Sequence, residues 1–196
     1  MSAKLISIIG PPAAGKTTLA RLLAEELPAR LIREDYAGNP FLAESYVGDE
    51  RARLPAQLYF LTSRVGQLSA AAWPEGGVRV SDYGYCQDAL FARLRLSEEE
   101  HELYRGVAER LDRLVHPPDV LVLLDVPADE LRGRIGRRGR DYEKVMTAEF
   151  LANMRTGCQR AADQAAGPVV RIDGTAVDFR REPARSRVVQ QIRGVL

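Results

Sequence analysis

The chain has 196 residues, 45% of them hydrophobic, and its 28 basic and 27 acidic side chains leave a net charge of +1. That length suits one domain with a full core, taken as 1–196, and so small a charge excludes a whole-molecule field that would gather nucleic acid or an anionic membrane. Cys86 and Cys158 stand alone, without zinc-site or disulfide-framework spacing, and the apolar runs are too short to cross a bilayer, so a cytoplasmic protein with free thiols is expected.

The first apolar run, 5–9, reads as a buried strand, and it leads into Gly10-Pro11-Pro12-Ala13-Ala14-Gly15-Lys16-Thr17. That stretch fits G-x-x-x-x-G-K-[ST], and with Thr18 it opens a helical segment over 16–27 that stops at Pro28. The glycines let successive N–H groups of residues such as Ala13, Ala14 and Gly15 turn onto phosphate oxygens, and the helix adds its positive end. A nucleoside triphosphate site follows, with Lys16 on the outer phosphates and the Thr17 hydroxyl on Mg²⁺.

Further apolar runs at 29–33, 78–81, 120–126 and 169–172, with helical stretches between them, predict an α/β protein whose parallel sheet is covered on both faces. Glu34 ends the second strand, where open sheets place ligands, and is the candidate base for an incoming hydroxyl. Asp82 ends the third and is the candidate second ligand of Mg²⁺, directly or through water. A long helix over 50–72 carries Leu54, Leu58, Leu61, Val65 and Leu68 as one buried stripe. Gln57 and Arg64 lie within about 20° of each other at its edge and can face a cleft together.

Ser97-Glu98-Glu99-Glu100 is a capping box for a helix with Leu103, Val107, Leu111 and Leu114 on its apolar face, ending at Pro117-Pro118. His101 and His116 have no neighbours for nucleophilic chemistry and receive no role. Pro127 starts a helix that ends in the arginine run of 132–140. Arg134 and Arg138 are one turn apart, Arg137 is beside them, and Arg140 follows Gly139. With glycines at 133, 136 and 139 the segment reads as a mobile helical lid that brings guanidinium groups to the transferring phosphoryl. Helices at 147–165 and 182–193 complete the chain, and the loop Asp173-Gly174-Thr175-Ala176 is the natural place for the triphosphate's base.

Glu34, Asn39-Pro40-Phe41-Leu42, Tyr46, Gln57-Leu58-Tyr59-Phe60-Leu61 and Arg64 together resemble the deoxynucleoside kinases. The likeness continues through Phe91-Ala92, Pro118-Asp119-Val120, Arg134-Ile135 and Arg138-Gly139-Arg140-Asp141-Tyr142-Glu143, in the same order and spacing over residues 5–158. This resemblance implies a P-loop three-layer fold with a five-stranded sheet ordered 2-3-1-4-5, and transfer of the γ-phosphate of ATP, with Mg²⁺, to a deoxynucleoside 5′-hydroxyl. It implies that Glu34 is the base and that Tyr46 and Glu143 bind the sugar 3′-hydroxyl. Gln57 would read the nucleobase edge with Arg64 behind it, and Phe91 would pack on the base. Arg134, Arg138 and Arg140 would be lid arginines, Arg138 and Arg140 also touching ATP. A homodimer through the long helices and a place in nucleotide salvage are implied too.

Where the family reads D/E-R-S after the third strand, this chain has Asp82-Tyr83-Gly84, so the tyrosine does not supply the arginine that orients hydroxyl and phosphoryl groups. A bacterial branch with S-D-Y resembles it and points toward purines, deoxycytidine remaining compatible with Gln57. Left open are which of Gln87 and Asp88 contacts the base and whether a lid arginine replaces the missing guanidinium. Two other readings stand beside this one. A kinase for nucleoside monophosphates or another small metabolite would need a second cationic pocket, and the region from Asn39 to Arg64 offers Arg51, Arg53 and Arg64 at most. A regulatory module that binds ATP without transferring phosphate would explain the absent arginine.

Overall fold

Consecutive apolar residues make the central strands because both faces of the sheet are covered and no position has to alternate toward solvent. β1 (Ala3–Ile9), β2 (Arg30–Ile32), β3 (Gly77–Ser81), β4 (Val120–Asp125) and β5 (Val169–Asp173) form one parallel sheet in the order β2-β3-β1-β4-β5. The computed structural model describes residues 3–73 and 76–196. The expected order and all five strands are borne out, with ends shifted by no more than two residues.

Side chains on β1 divide between the faces. Ile6 and Ile8 join Leu19, Leu22 and Leu23 of α1 (Lys16–Glu26) and Val188, Val189 and Ile192 of α8 (Ala184–Arg193). Leu5 packs with Leu68 of α3 (Arg53–Leu68), and Ile9 with Met154, Cys158 and Ala162 of α7 (Ala148–Asp163). Each such aliphatic side chain contributes about 1.5–3 kcal/mol when fully buried, so the two layers carry the stability. α6 (Ala128–Arg138) packs Leu131 and Ile135 into the first layer. α4 (Gln87–Arg95) and α5 (Glu98–Leu111) lie outside α3 and join it through Ala92, Tyr104, Leu61 and Val65.

The capping box forms as expected: Ser97 Oγ accepts from Glu100 N, and Glu100 Oε2 accepts from Ser97 N at 3.0 Å. Two expected stripes are corrected. On α3 the buried face is Ala56, Gln57, Phe60, Leu61, Arg64, Val65 and Leu68, turned from the leucine stripe because Arg64 finds carboxylate partners in the interior and Gln57 faces the cavity; Leu54 and Leu58 are only partly covered. On α5, Tyr104 is the buried residue while Leu103 faces outward, as does Leu114 in the short turn Asp112–Leu114 that follows. The short α2 (Leu42–Val47) and α4 were not singled out from the sequence; polar and charged residues break their apolar periodicity.

Candidate active site

A cavity of about 790 Å³ opens at the carboxyl edge of the sheet. Its wall includes Ala13, Ala14, Gly15, Lys16, Thr17 and Thr18 on one side and Glu34, Tyr46, Gln57, Arg64 and Phe91 on the other. Arg134, Arg138 and Glu143 line it as well. Residues spread from 13 to 143 thus share one hollow. Gly10, Asp82 and Arg140, expected with them, stand outside the lining.

The phosphate loop is shaped by main chain. Gly10 has φ +155, and a Cβ there would sit 2.5 Å from the Leu124 carbonyl oxygen, so only glycine permits this approach. Gly15, at φ +107, is the left-handed N-cap of α1. Lys16 Nζ donates to the carbonyls of Gly10 (2.8 Å) and Pro11 (2.9 Å), and burial pulls its pKa down to about 8. The ammonium therefore lies across the mouth of its own loop, where phosphate oxygens would be better acceptors.

Asp82 links this loop to the acceptor side. Its Oδ2 accepts from the Thr17 hydroxyl at 2.6 Å and its Oδ1 from the Glu34 N–H at 2.8 Å. Burial raises its pKa, with the Thr17 hydrogen bond and the Lys16 charge acting the other way. Its place is beneath the cavity and not at the substrate surface, because both its oxygens are engaged by the two elements it joins. A hydroxyl and a carboxylate oxygen this close suit Mg²⁺, which takes few protein oxygens and fills its octahedron with water and phosphate.

Across the cavity, the Arg64 guanidinium pairs with Glu34 Oε1 and with Asp88 Oδ1, all three side chains being nearly buried. It lies over the rings of Phe60 and Tyr83, each centroid 5.2 Å away. Burial pushes the Asp88 carboxyl up to about 6 against the pull of Arg64. Asp88 sits behind Arg64, off the cavity wall. Gln87 is on the wall, but its amide donates to the Gly10 carbonyl at 2.9 Å and so belongs with the phosphate loop.

At the far end, Tyr46 lies under the Arg95 guanidinium at 3.6 Å and beside Tyr142. Burial raises the Tyr46 hydroxyl pKa, with Arg95 opposing, so the hydroxyl stays protonated and able to donate. Glu143 Oε1 pairs with Arg138 at 3.3 Å and Arg140 at 3.1 Å, leaving Oε2 buried without a partner. That free oxygen and the Tyr46 hydroxyl are the kind of pair that holds one sugar hydroxyl as donor and acceptor.

Arg134 departs from its expected role at the phosphates. Its guanidinium donates to Ala14 O (2.9 Å), Gly174 O (2.7 Å) and Glu130 Oε1 (3.0 Å), so it ties the phosphate loop to the loop after β5. Arg140 is turned to Glu143 and the Tyr36 ring. Gly133 and Gly136 lie inside regular α6, and Gly139 is its left-handed cap at φ 72. Sequence reasoning gave no role to Arg95, Tyr36 and Tyr142, all on the cavity wall, where Arg137 of the expected lid also lies. Arg95 had a signal: it is four residues from Phe91 and shares its helical face.

A model of the deoxynucleoside kinase family matches residues 6–196. The chain belongs to that family. Its reaction is accordingly the ATP-dependent phosphorylation of a deoxynucleoside. It is 30% identical over 204 residues to a deoxyguanosine kinase of Lactobacillus johnsonii, covering 96% of this chain and 90% of that protein. It is 28% identical over 186 residues to a deoxyguanosine kinase of Bacillus subtilis, covering 91% and 90%. A deoxyadenosine kinase from M. mycoides, solved with dCMP and dCDP, shares the fold with a TM-score of 0.83 and 18% identity over 98% of this chain and 100% of that one. Among the described residues no helix is long and apolar enough to cross a membrane.

Proposed function

We propose that this deoxynucleoside kinase acts on purine deoxynucleosides, moving the γ-phosphate of ATP to the sugar 5′-hydroxyl with Glu34 as the orienting base. The observation that carries this reading is the position of Glu34: its N–H is tied through Asp82 to Thr17 of the phosphate loop, and its carboxyl reaches the wall shared with Gln57, Tyr46 and Phe91. A hydroxyl placed there meets the carboxylate on one side and the loop on the other. In a largely dissociative phosphoryl transfer, positioning and charge neutralisation matter more than proton removal, so aiming the hydroxyl is the larger part of the task. Lys16 and Arg138 neutralise the phosphoryl oxygens, and Arg134 acts indirectly by holding the loop. Thr17, with Asp82 beneath it, would hold Mg²⁺, which would supply positive charge at the outer phosphates. Tyr46 and Glu143 hold the 3′-hydroxyl, Gln57 reads the base edge, and Phe91 packs on its face.

The purine preference rests on the deoxyguanosine and deoxyadenosine kinases among the relatives; the amide of Gln57, which offers a donor and an acceptor together, is compatible with it. A monophosphate acceptor is disfavoured because Arg64 already pairs with two carboxylates and Arg95 donates to Ser45 O. We further read the chain as one domain over 1–196 that works as a cytoplasmic homodimer in nucleotide salvage. The test is transfer of labelled γ-phosphate from ATP to the four deoxynucleosides and to their monophosphates. Deoxyguanosine or deoxyadenosine is expected as the best acceptor, and labelled diphosphates as the only strong products would overturn the reading.

A further inference from the structure

A buried carboxylate needs a cation, and at Glu34 one residue provides it. The Glu34 side chain is 6% exposed, and among the described residues its ion pair is with Arg64 of α3, itself 5% exposed. Arg64 cannot drift from that position. Phe60, one turn earlier on α3, lies against its guanidinium, and so does Tyr83 from the end of β3. Asp88 of α4 holds the other arm of the fork.

Tyr83 is itself fixed, because its hydroxyl donates to Gln67 Oε1. Gln67 Nε2 in turn donates to the carbonyl of Arg33 at 3.2 Å, the residue before Glu34. The peptide carrying Glu34 is thus gripped on both sides, at its N–H by Asp82 and at the preceding carbonyl by Gln67. The neighbours Asp82 and Tyr83 both serve Glu34, the first through its backbone and the second through Arg64. An arginine or lysine at 83 would bring a second cation against Arg64, whereas an aromatic ring attracts the guanidinium to its face.

We propose that Arg64 is the positioning residue for Glu34, supplying from the middle of α3 the guanidinium that Tyr83 does not, with the Tyr83 ring as the plate that holds it. The inference rests on the reading of Glu34 as the orienting base. It gives Arg64 a part in turnover beyond lying behind the nucleobase. Binding on Gln57, two turns away on the same helix, and aim of the carboxylate then share one rigid element.

The test is a double-mutant cycle on steady-state kcat and on KM for the deoxynucleoside, using Glu34→Gln, Arg64→Met and the pair. Arg64→Met is expected to lower kcat on the order of 10²-fold while changing KM little. In the Glu34→Gln background the same change is expected to cost less than about 3-fold, because Arg64 acts through the carboxylate already lost. Losses that multiply, or a normal kcat with a raised KM, would overturn the proposal and leave Arg64 as a base contact. A near-normal kcat for Glu34→Gln alone would instead sink the reading of Glu34. Arg64→Met leaves two buried carboxylates unpaired, so the cycle is repeated with Arg64→Lys, which keeps the charge but not the fork and is expected to fall between wild type and Met.

Discussion

The donor half of the cavity is one stretch of chain, Pro12 to Thr18, whereas the acceptor half is assembled from side chains that arrive on separate elements far apart in sequence. The first needs a strand, two glycines and a helix start in succession, and its shape is set by backbone φ values at Gly10 and Gly15. The second depends on Glu34, Tyr46, Gln57, Arg64, Phe91 and Glu143 being brought together by packing of α2, α3 and α4 on one another and of α2 on the turn at 141–143. A change on the donor side should therefore act on ATP alone. Changes on the acceptor side should separate into loss of rate and loss of discrimination, according to which side chain is touched.

Glu34→Gln should show the largest effect, lowering kcat about 10²- to 10⁴-fold with ATP affinity hardly changed; parallel kinetics and ATP titration check it. Lys16→Met sharpens the contrast from the other side. It should lower kcat/KM for ATP about 10²- to 10³-fold and leave equilibrium binding of the deoxynucleoside intact. A comparable loss of deoxynucleoside affinity would show that the halves are not separable. Gln57→Leu is expected to leave the phosphate grip alone and to flatten the preference among the four bases by about 10- to 100-fold, the worth of a buried polar group left unpaired.

The smallest effect concerns stability. Asp88 has its pKa raised from 3.8 to about 6 by burial, so between those values the folded protein holds a proton that the unfolded chain has released. Stability from this group is full below pH 3.8 and declines as pH rises through 6. Asp88→Asn should lack that decline, gaining on wild type across this window in urea unfolding at a series of pH values, while the donor half, which Asp88 does not touch, keeps its ATP affinity.

The same division explains what could be read from the sequence. The five strands, the phosphate loop and the Ser97–Glu100 capping box are local patterns of period or punctuation, and they appear where expected; the strand order, also as expected, was implied by the resemblance to the deoxynucleoside kinases. Glu34, Asp82 and Gln57 were legible as candidates because strand ends and helix faces follow from the elements that carry them. The pairing of Arg64 with Glu34 and Asp88 was not, because three charges from 34, 64 and 88 meet only after α3 and α4 have packed together. Arg134 was misread for a related reason. An arginine run shows charge, but its acceptors, the carbonyls of Ala14 and Gly174, are main-chain atoms that no residue type announces.

A single ligand can ask whether the two halves form one site: deoxyadenosine and adenosine joined 5′ to 5′ through a chain of phosphates. If Glu34 and the phosphate loop share one hollow as described, this compound competes with both ATP and the deoxynucleoside and binds about 10²-fold more tightly than ATP alone. Competition with ATP only, at an affinity no better than that of ATP, would contradict the account.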